Sequence, residues 1–253
     1  MIDWTSVAAV YRRNALVWRK LAPASLLGNV AEPLITLVAF GYGLGSLLNE
    51  VQGVPYVVYL AAGAMCMSTT MAASFESLYS AFARMQVQRT WDSILNAPVG
   101  LDEILLAEWL WAASKGALAG LAIVLVAIVI DISRAPQLVL VLPMIFLVGL
   151  CFAAIGLVFN ALAKGYDFFT FYFTLGLTPM IFVSGVYYPA ETLPSWLAGI
   201  AAVLPLSAAV SLVRPLVLGG YPEHIAVPLM LILAWTVAAL WLARTLTLRR
   251  FAR

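Results

Sequence analysis

Glu108 and Lys115 stand seven residues apart in the stretch LLAEWLWAASKG. Seven residues make two helical turns, so the two side chains share a face and lie about 10 Å apart along the axis. Ionisable groups at membrane depth take partners or snorkel to the interface. They allow a proton or ion relay, or polar glue between helices near one interface. A relay needs a chain of carboxylates. The apolar runs supply no second one near mid-membrane, which favours glue. Other chemistry is sparse. There is no G-x-x-x-x-G-K-[ST] and no Gly-Lys dipeptide, so this chain is not expected to hydrolyse ATP. Neither an HExxH nor a Ser-His-Asp set is apparent. The single histidine, His224, follows Tyr221-Pro222 and reads as a loop residue, and Cys66 and Cys151 sit in apolar runs as small buried hydrophobes. No metal site is expected.

Two other segments could meet something outside the chain. ARMQVQRTWDSILNAPVGLDE, residues 83–103, is a polar interval longer than a simple connector. It predicts a short helix ending before Asn96-Ala97-Pro98. Arg84, Gln88, Arg89 and Trp91 form its candidate contact set, because exposed Trp and Arg compose protein-binding hot spots. The other reading is a helix packed under the bundle. GYDFFTFYFTLG, residues 165–176, crowds six aromatics into eight positions. They read as an interfacial aromatic belt or as flat stacking surfaces for a sugar ring or acyl tail. On the second reading Tyr166, Phe168 and Tyr172 line a path, with Phe168 and Tyr172 on one helix face. Gly41 and Gly45 form a weaker small-xxx-small signal, consistent with close helix approach or dimerisation.

The elements that hold these residues follow from composition. Of 253 residues 64% are hydrophobic and 10% charged, whereas a soluble domain carries about 25% charged residues. The net charge of +2 gives no reason to expect nucleic acid as a partner. Runs at 31–48, 54–74, 104–130, 138–163, 168–186 and 225–243 are each long enough to cross a hydrocarbon core of about 30 Å as helices. A leader at 1–23 places Trp4, Val7, Tyr11 and Trp18 at helical spacing beside Arg12, Arg13, Arg19 and Lys20, the pattern of an interfacial helix. It carries no cleavable signal pattern. Basic residues collect in the leader, after the second run, and in the tail at Arg244, Arg249, Arg250 and Arg253, which puts both termini in the cytoplasm. The apolar segment at 198–213 would make a seventh span and throw the basic tail outside. The segment 189–220 is therefore expected to be external, as a re-entrant helical hairpin or a surface-lying amphipathic helix. The expected fold is an all-α integral membrane domain over 1–253, with six spans, an N-terminal interfacial helix, a cytoplasmic coupling segment at 83–100 and the hairpin at 189–220. No internal repeat is apparent.

This set of features resembles the ABC-2 type exporter permeases. SGVYYPAETLPSWL followed by LPLSAAVSLVRPLVLGG is similar to that family's outer signature, through Ser184-Gly185, Pro189, Leu193-Pro194, Trp196, Pro205-Leu206, Arg214 and Gly219. ALAKGYDFFTFYFTLGLTPMIFVSG looks closest to the nodulation-factor (lipo-chitooligosaccharide) exporter permeases. The chain departs from them at Ala208, where such permeases often have His. The resemblance implies two copies of this chain bound to two separate ATP-binding cassette subunits. Those subunits would hold ATP and Mg; this chain would hold no cofactor. It implies a bacterial inner membrane, a coupling helix near residues 84–96, and outward passage of a lipo-oligosaccharide or lipid-linked saccharide. Permeases for drugs or other lipids share the architecture. A membrane enzyme acting on lipid-linked sugars is a weaker alternative, with Glu108 and Asp167 too isolated to serve it.

Overall fold

The computed structural model describes residues 2–20, 22–48 and 50–252. Expectations resting on Met1 and Leu21 of the leader, Asn49 of the first connection and Arg253 of the tail lie outside the described residues.

Helix α1 (Trp4–Arg19) begins at Asp3. The Asp3 carboxylate accepts from the Thr5 amide at 3.0 Å and from the Thr5 and Ser6 hydroxyls at 2.7 Å, which satisfies donors that a helix start leaves free. Hydrogen bonds from the Ser6 and Thr5 hydroxyls and the Thr5 amide hold the Asp3 carboxyl down at about 2, from an ordinary 3.8. The folded value lies below the unfolded one, so the cap contributes fully above pH 3.8 and is lost as pH falls through about 2. In the solubilised protein the Thr5 amide resonance is expected to titrate with a midpoint near about 2, and Asp3→Asn should abolish that titration. A midpoint at the ordinary value would show that the cap does not form. Val7 and Val10 of α1 pack against Ala107, while Trp4, Leu16 and Val17 are exposed. The leader's spacing thus builds a two-sided helix, one side of which meets protein.

Helix α2 (Ala22–Gly43) packs Leu37 on Tyr56, Tyr59 and Leu60. A Cβ on Gly41 would meet Val57 Cγ2 at 2.8 Å, so this glycine closes α2 onto its own chain's next helix. A two-residue antiparallel pair follows, β1 (Glu50–Val51) and β2 (Val54–Pro55). Gln52 and Gly53 both take positive φ, 52° and 76°, as a tight hairpin turn with right-handed twist requires. Strands this short leave no period-2 pattern to read.

Helix α3 (Tyr56–Phe75) continues through two wide turns, Glu76–Ser80 and Ala83–Val87, into one rod from Tyr56 to Val87. Every residue from Tyr59 to Thr70 is buried, which makes α3 the centre of the bundle. In the wide turns the Ala81 and Gln88 amides donate five residues back, to Glu76 and Ala83. Asn160 donates its side-chain amide to the carbonyls of Ser77 (2.9 Å) and Leu78 (3.3 Å) in the first turn, where the ladder is loosened. Arg89 then turns the chain at φ 49° into the short α4 (Thr90–Leu95).

Around α3 stand α5 (Leu101–Val129) and α6 (Leu138–Leu162). Small residues set their spacing. A Cβ on Gly116 would meet Thr69 O at 2.8 Å, and one on Gly149 would meet Ala113 O at 2.7 Å. Next come α7 (Asp167–Phe171) and α8 (Thr178–Val183), joined by another wide turn into one apolar body, Asp167–Val183. Then α9 (Ser195–Ala202) and α10 (Pro205–Val217) meet at an 83° bend, and α11 (Ala226–Phe251) closes the chain. Pro205 starts α10 at its first turn, where the missing N–H costs nothing. Leu206 and Val213 of α10 are wholly buried and join the main core with Leu212 and Leu216.

Among the described residues, four helices are long and apolar enough to cross a membrane: Tyr56–Val87, Leu101–Val129, Leu138–Leu162 and Ala226–Phe251. The first expected span falls largely in α2 (Ala22–Gly43), and the fifth appears as a shorter apolar helix, Asp167–Val183. The latter is about 25 Å long at 1.5 Å per residue, short of a full hydrocarbon thickness. By length and composition alone the described residues give four spans, or five with the bent α9–α10 pair counted as one.

Both chain ends lie at one end of the bundle. The Asp3 amide donates to Glu103 at 3.2 Å. Arg244 makes two 2.8 Å bonds to Asp102. Arg250 donates to the carbonyls of Asn160, Ala161 and Ala163 at 3.1, 3.0 and 2.7 Å, closing the carbonyl end of α6.

Candidate functional site

The same end holds a buried charge quartet. Glu76 sits in the first wide turn of the α3 rod and Arg84 in the second; Glu108 and Lys115 come from α5. Arg84 donates through Nε to Glu108 at 2.9 and 3.1 Å and through Nη2 to the same carboxylate. Its Nη2 also lies 2.9 Å from Glu76 Oε1. Lys115 Nζ meets Glu76 Oε2 at 2.9 Å. Two tryptophans complete the set: Trp111 Nε1 donates to Glu76 at 2.9 Å and Trp91 Nε1 to Glu108 at 3.3 Å. Glu76 is 3% exposed and Glu108 1%. Charges this deep persist because each carboxylate has a cation and an indole donor.

Glu108 and Lys115 are thus not each other's partners. They share a face, as their spacing predicts, but each reaches across to α3, where a charge of opposite sign lies closer than the two turns between them. The polar glue includes a carboxylate outside the expected spans, Glu76. It lies two residues past the apolar run read as the second span, and the wide turn carries the helix through it. The missed signal was the pattern of two consecutive helices each bearing one acid and one base, Glu76 with Arg84 and Glu108 with Lys115.

The expected contact set at 83–100 divides. Arg84 and Trp91 face inward. Trp91 is 1% exposed, with its ring stacked on Phe251 at 6.0 Å. An indole N–H and a guanidinium with buried carboxylates at hand turn toward those carboxylates. Gln88 and Arg89 are exposed, as are Val87, Asp92 and Ser93. The outward face of this corner is therefore Val87-Gln88-Arg89 and Asp92-Ser93. Helix α1 leans on the same site: Tyr11 and Trp18 contact Trp111 edge-on at 5.6 and 5.8 Å. Burial, aided by the charge of Arg84, lowers the Arg13 pKa, and Glu108 counters it.

The aromatic segment divides too. Tyr172 is buried, with its hydroxyl 2.8 Å from Ser74 Oγ and its ring edge-on to Phe159 at 4.8 Å. Phe168 is half-buried against the same Phe159 at 6.2 Å. Their shared face packs on Phe159 of α6 and, through Tyr172, on Ser74 of α3. Phe169 is fully buried. Tyr166 is 40% exposed and stacks on Tyr79 at 5.9 Å and 10°. Tyr79 in turn stacks on the exposed Phe75 at 4.6 Å. Phe75, Tyr79 and Tyr166 form an aromatic ladder reaching the surface. Two of its rings come from outside the aromatic segment, Phe75 at the end of α3 and Tyr79 in the wide turn after it.

Comparison with known proteins fits this arrangement. The ABC-2 type transporter family model matches residues 5–218. Nodulation protein J of Sinorhizobium fredii is 45% identical over 222 residues, covering 86% of this chain and 85% of the relative. Nodulation protein J of Rhizobium meliloti is 41% identical over 242 residues, covering 96% and 92%. The inner membrane transport permease YadH of Escherichia coli is 22% identical over 203 residues, covering 80% and 79%. A helical bundle with long apolar helices, a family match across most of the chain and near full-length relatives above 40% identity agree: this chain is a transmembrane permease of the ABC-2 type transporter family.

Proposed function

We propose that this chain is the permease subunit of an ATP-driven exporter that moves an amphipathic lipo-oligosaccharide outward across a bacterial inner membrane. The observation that carries the reading is the near full-length likeness to proteins named Nodulation protein J. Two copies of the chain would assemble with two ATPase subunits, which bind ATP and Mg. The gathering of both chain ends with Arg12, Arg13, Arg249 and Arg250 at one end of the bundle supports cytoplasmic termini. The α9–α10 bend supports a re-entrant hairpin at the opposite, outer end.

Val87, Gln88, Arg89, Asp92 and Ser93 make the ATPase-docking face of this reading. The corner is pinned from behind by Trp91 and Arg84, so it presents its outer side chains on a rigid base. Cargo would meet the aromatic ladder, whose flat faces bind a sugar ring or acyl chain without directional bonds. Replacing Phe75 and Tyr79 together by Ala is expected to lower export about threefold to tenfold, while the permease still assembles with its ATPase. Unchanged export would return the ladder to lipid packing.

The direct test is co-purification of the tagged chain from its native host, followed by assay of lipo-chitooligosaccharide in the medium. The expected result is a stoichiometric ATPase partner and loss of extracellular product when the chain is deleted. A partner without loss of this product would redirect the cargo to another lipid or a drug. Absence of any ATPase partner would overturn the reading.

A further inference from the structure

At the end of the bundle away from the chain termini, a cavity of about 580 Å³ lies between the Ser184-Gly185 turn, α10 and α11. Arg214 of α10 borders it. Its guanidinium lies flat over the Tyr59 ring, 3.7 Å from the centroid. Nη2 donates to the Gly185 carbonyl at 2.5 Å, and the Tyr59 hydroxyl donates to the same carbonyl at 3.1 Å. Gly185 holds φ +75°, a conformation that favours glycine, and this turns its carbonyl onto both donors. The guanidinium is thus fixed in place by a ring and a backbone oxygen, neither of which carries charge.

Arg214 makes no ion pair among the described residues. Its Nε–H is buried without a hydrogen-bond partner, and so are the hydroxyls of Ser184, 2% exposed, and Ser207. All three residues border the cavity. Glu191 borders it too, but it is exposed and is held by Gln52 Nε2 at 3.5 Å. Buried charges are ordinarily paired and buried polar groups ordinarily bonded. Here the Nε–H of a cation and two hydroxyls share one wall with no acceptor. The ligand that complements them is an oxyanion, which accepts from guanidinium and hydroxyl at once.

The other wall says what carries the oxyanion. Val227 and Leu231 of α11 border the cavity, and Val227 is 67% exposed on a helix whose outward side is apolar. The polar wall is therefore continuous with the apolar exterior of the bundle. The volume falls in the range of small-molecule sites, about 300–1,000 Å³, well beyond what a bare ion fills.

We propose that this cavity binds the oxyanion head group of an amphiphile, with Arg214, Ser184 and Ser207 holding the head and the outer face of α11 taking the tail. The site needs neither the ATPase partner nor the cargo proposed above, so its test is independent of both.

The full-length chain, purified in an uncharged detergent, is titrated with short-chain phosphatidylglycerol, with short-chain phosphatidylcholine, and with sodium sulfate at matched ionic strength. Bound ligand is counted by native mass spectrometry, with thermal shift as a second readout. The expected result is one saturable site for phosphatidylglycerol, little retention of phosphatidylcholine, and weaker sulfate binding that competes for the same site. Arg214→Gln should weaken phosphatidylglycerol about tenfold or more, and Ser184→Ala with Ser207→Ala about threefold. The serine pair leaves the Arg214, Tyr59 and Gly185 contacts intact, so it decides the matter should Arg214→Gln fail to fold. Equal retention of the two lipids, or unchanged affinity in the serine pair, would overturn the proposal. Sulfate binding without lipid binding would overturn the amphiphile and leave a site for a free anion.

Discussion

Glu108→Ala is expected to destabilise the permease by about 3–5 kcal/mol, because it breaks a buried ion pair and leaves its cation behind. Folded domains have only about 5–15 kcal/mol to lose, so most of the purified yield should go with it. Arg84 loses its two-pronged contact and keeps only Glu76, while the Trp91 indole loses its acceptor. The quartet goes from neutral to one net positive charge inside the bundle. Lys115→Ala should cost less, since Glu76 keeps Arg84 and the Trp111 N–H. Replacing Arg84 and Glu108 together by Met and Leu should recover much of the loss, because apolar substitutes for a whole buried pair are often neutral. Thermal unfolding of the four proteins measures this. An unchanged midpoint for Glu108→Ala would show that the quartet does not hold the helices together.

Exchanging Val87 for Asp and Arg89 for Glu should abolish export while leaving the unfolding midpoint near that of the parent. Both side chains point outward, Val87 at 64% exposure, so their loss removes no core contact. If this corner docks on the ATPase, one central hot-spot residue is worth about 2 kcal/mol or more, a roughly thirtyfold weaker assembly. Trp91→Ala makes the contrast. It removes a buried ring stacked on Phe251 and should lower the midpoint first, by about 3–5 kcal/mol of stability. Pull-down of the ATPase and thermal unfolding, run on both variants, separate docking from packing. Retained assembly in the Val87/Arg89 variant would place the docking surface elsewhere.

The long apolar helices could be read from the sequence because lipid leaves little choice: every backbone donor must be satisfied within the helix. The leader helix could be read from its two-sided spacing. Three things could not. A wide turn alters the angle between successive side chains, so the 3.6-residue period fails below Phe75, and with it the way Arg84 faces. Partner choice between helices depends on their approach. Glu108 and Lys115 look like a pair along one helix until glycines such as Gly116 bring α3 within reach. Burial of an aromatic depends on its neighbours: Trp91 and Tyr172 have the composition of surface anchors, yet the Glu108 carboxylate and the Ser74 hydroxyl draw them in.

The quartet also bears on how the permease responds to an electric field. Moving one elementary charge across a membrane potential costs about 2.3 kcal/mol per 100 mV. Arg84 and Lys115 balance Glu76 and Glu108 within direct contact, so the four move as a closed neutral unit. Shifting or tilting that unit within the bilayer does little electrical work, and a conformational cycle that carries it along takes no appreciable drive or drag from the cell's membrane voltage at this point.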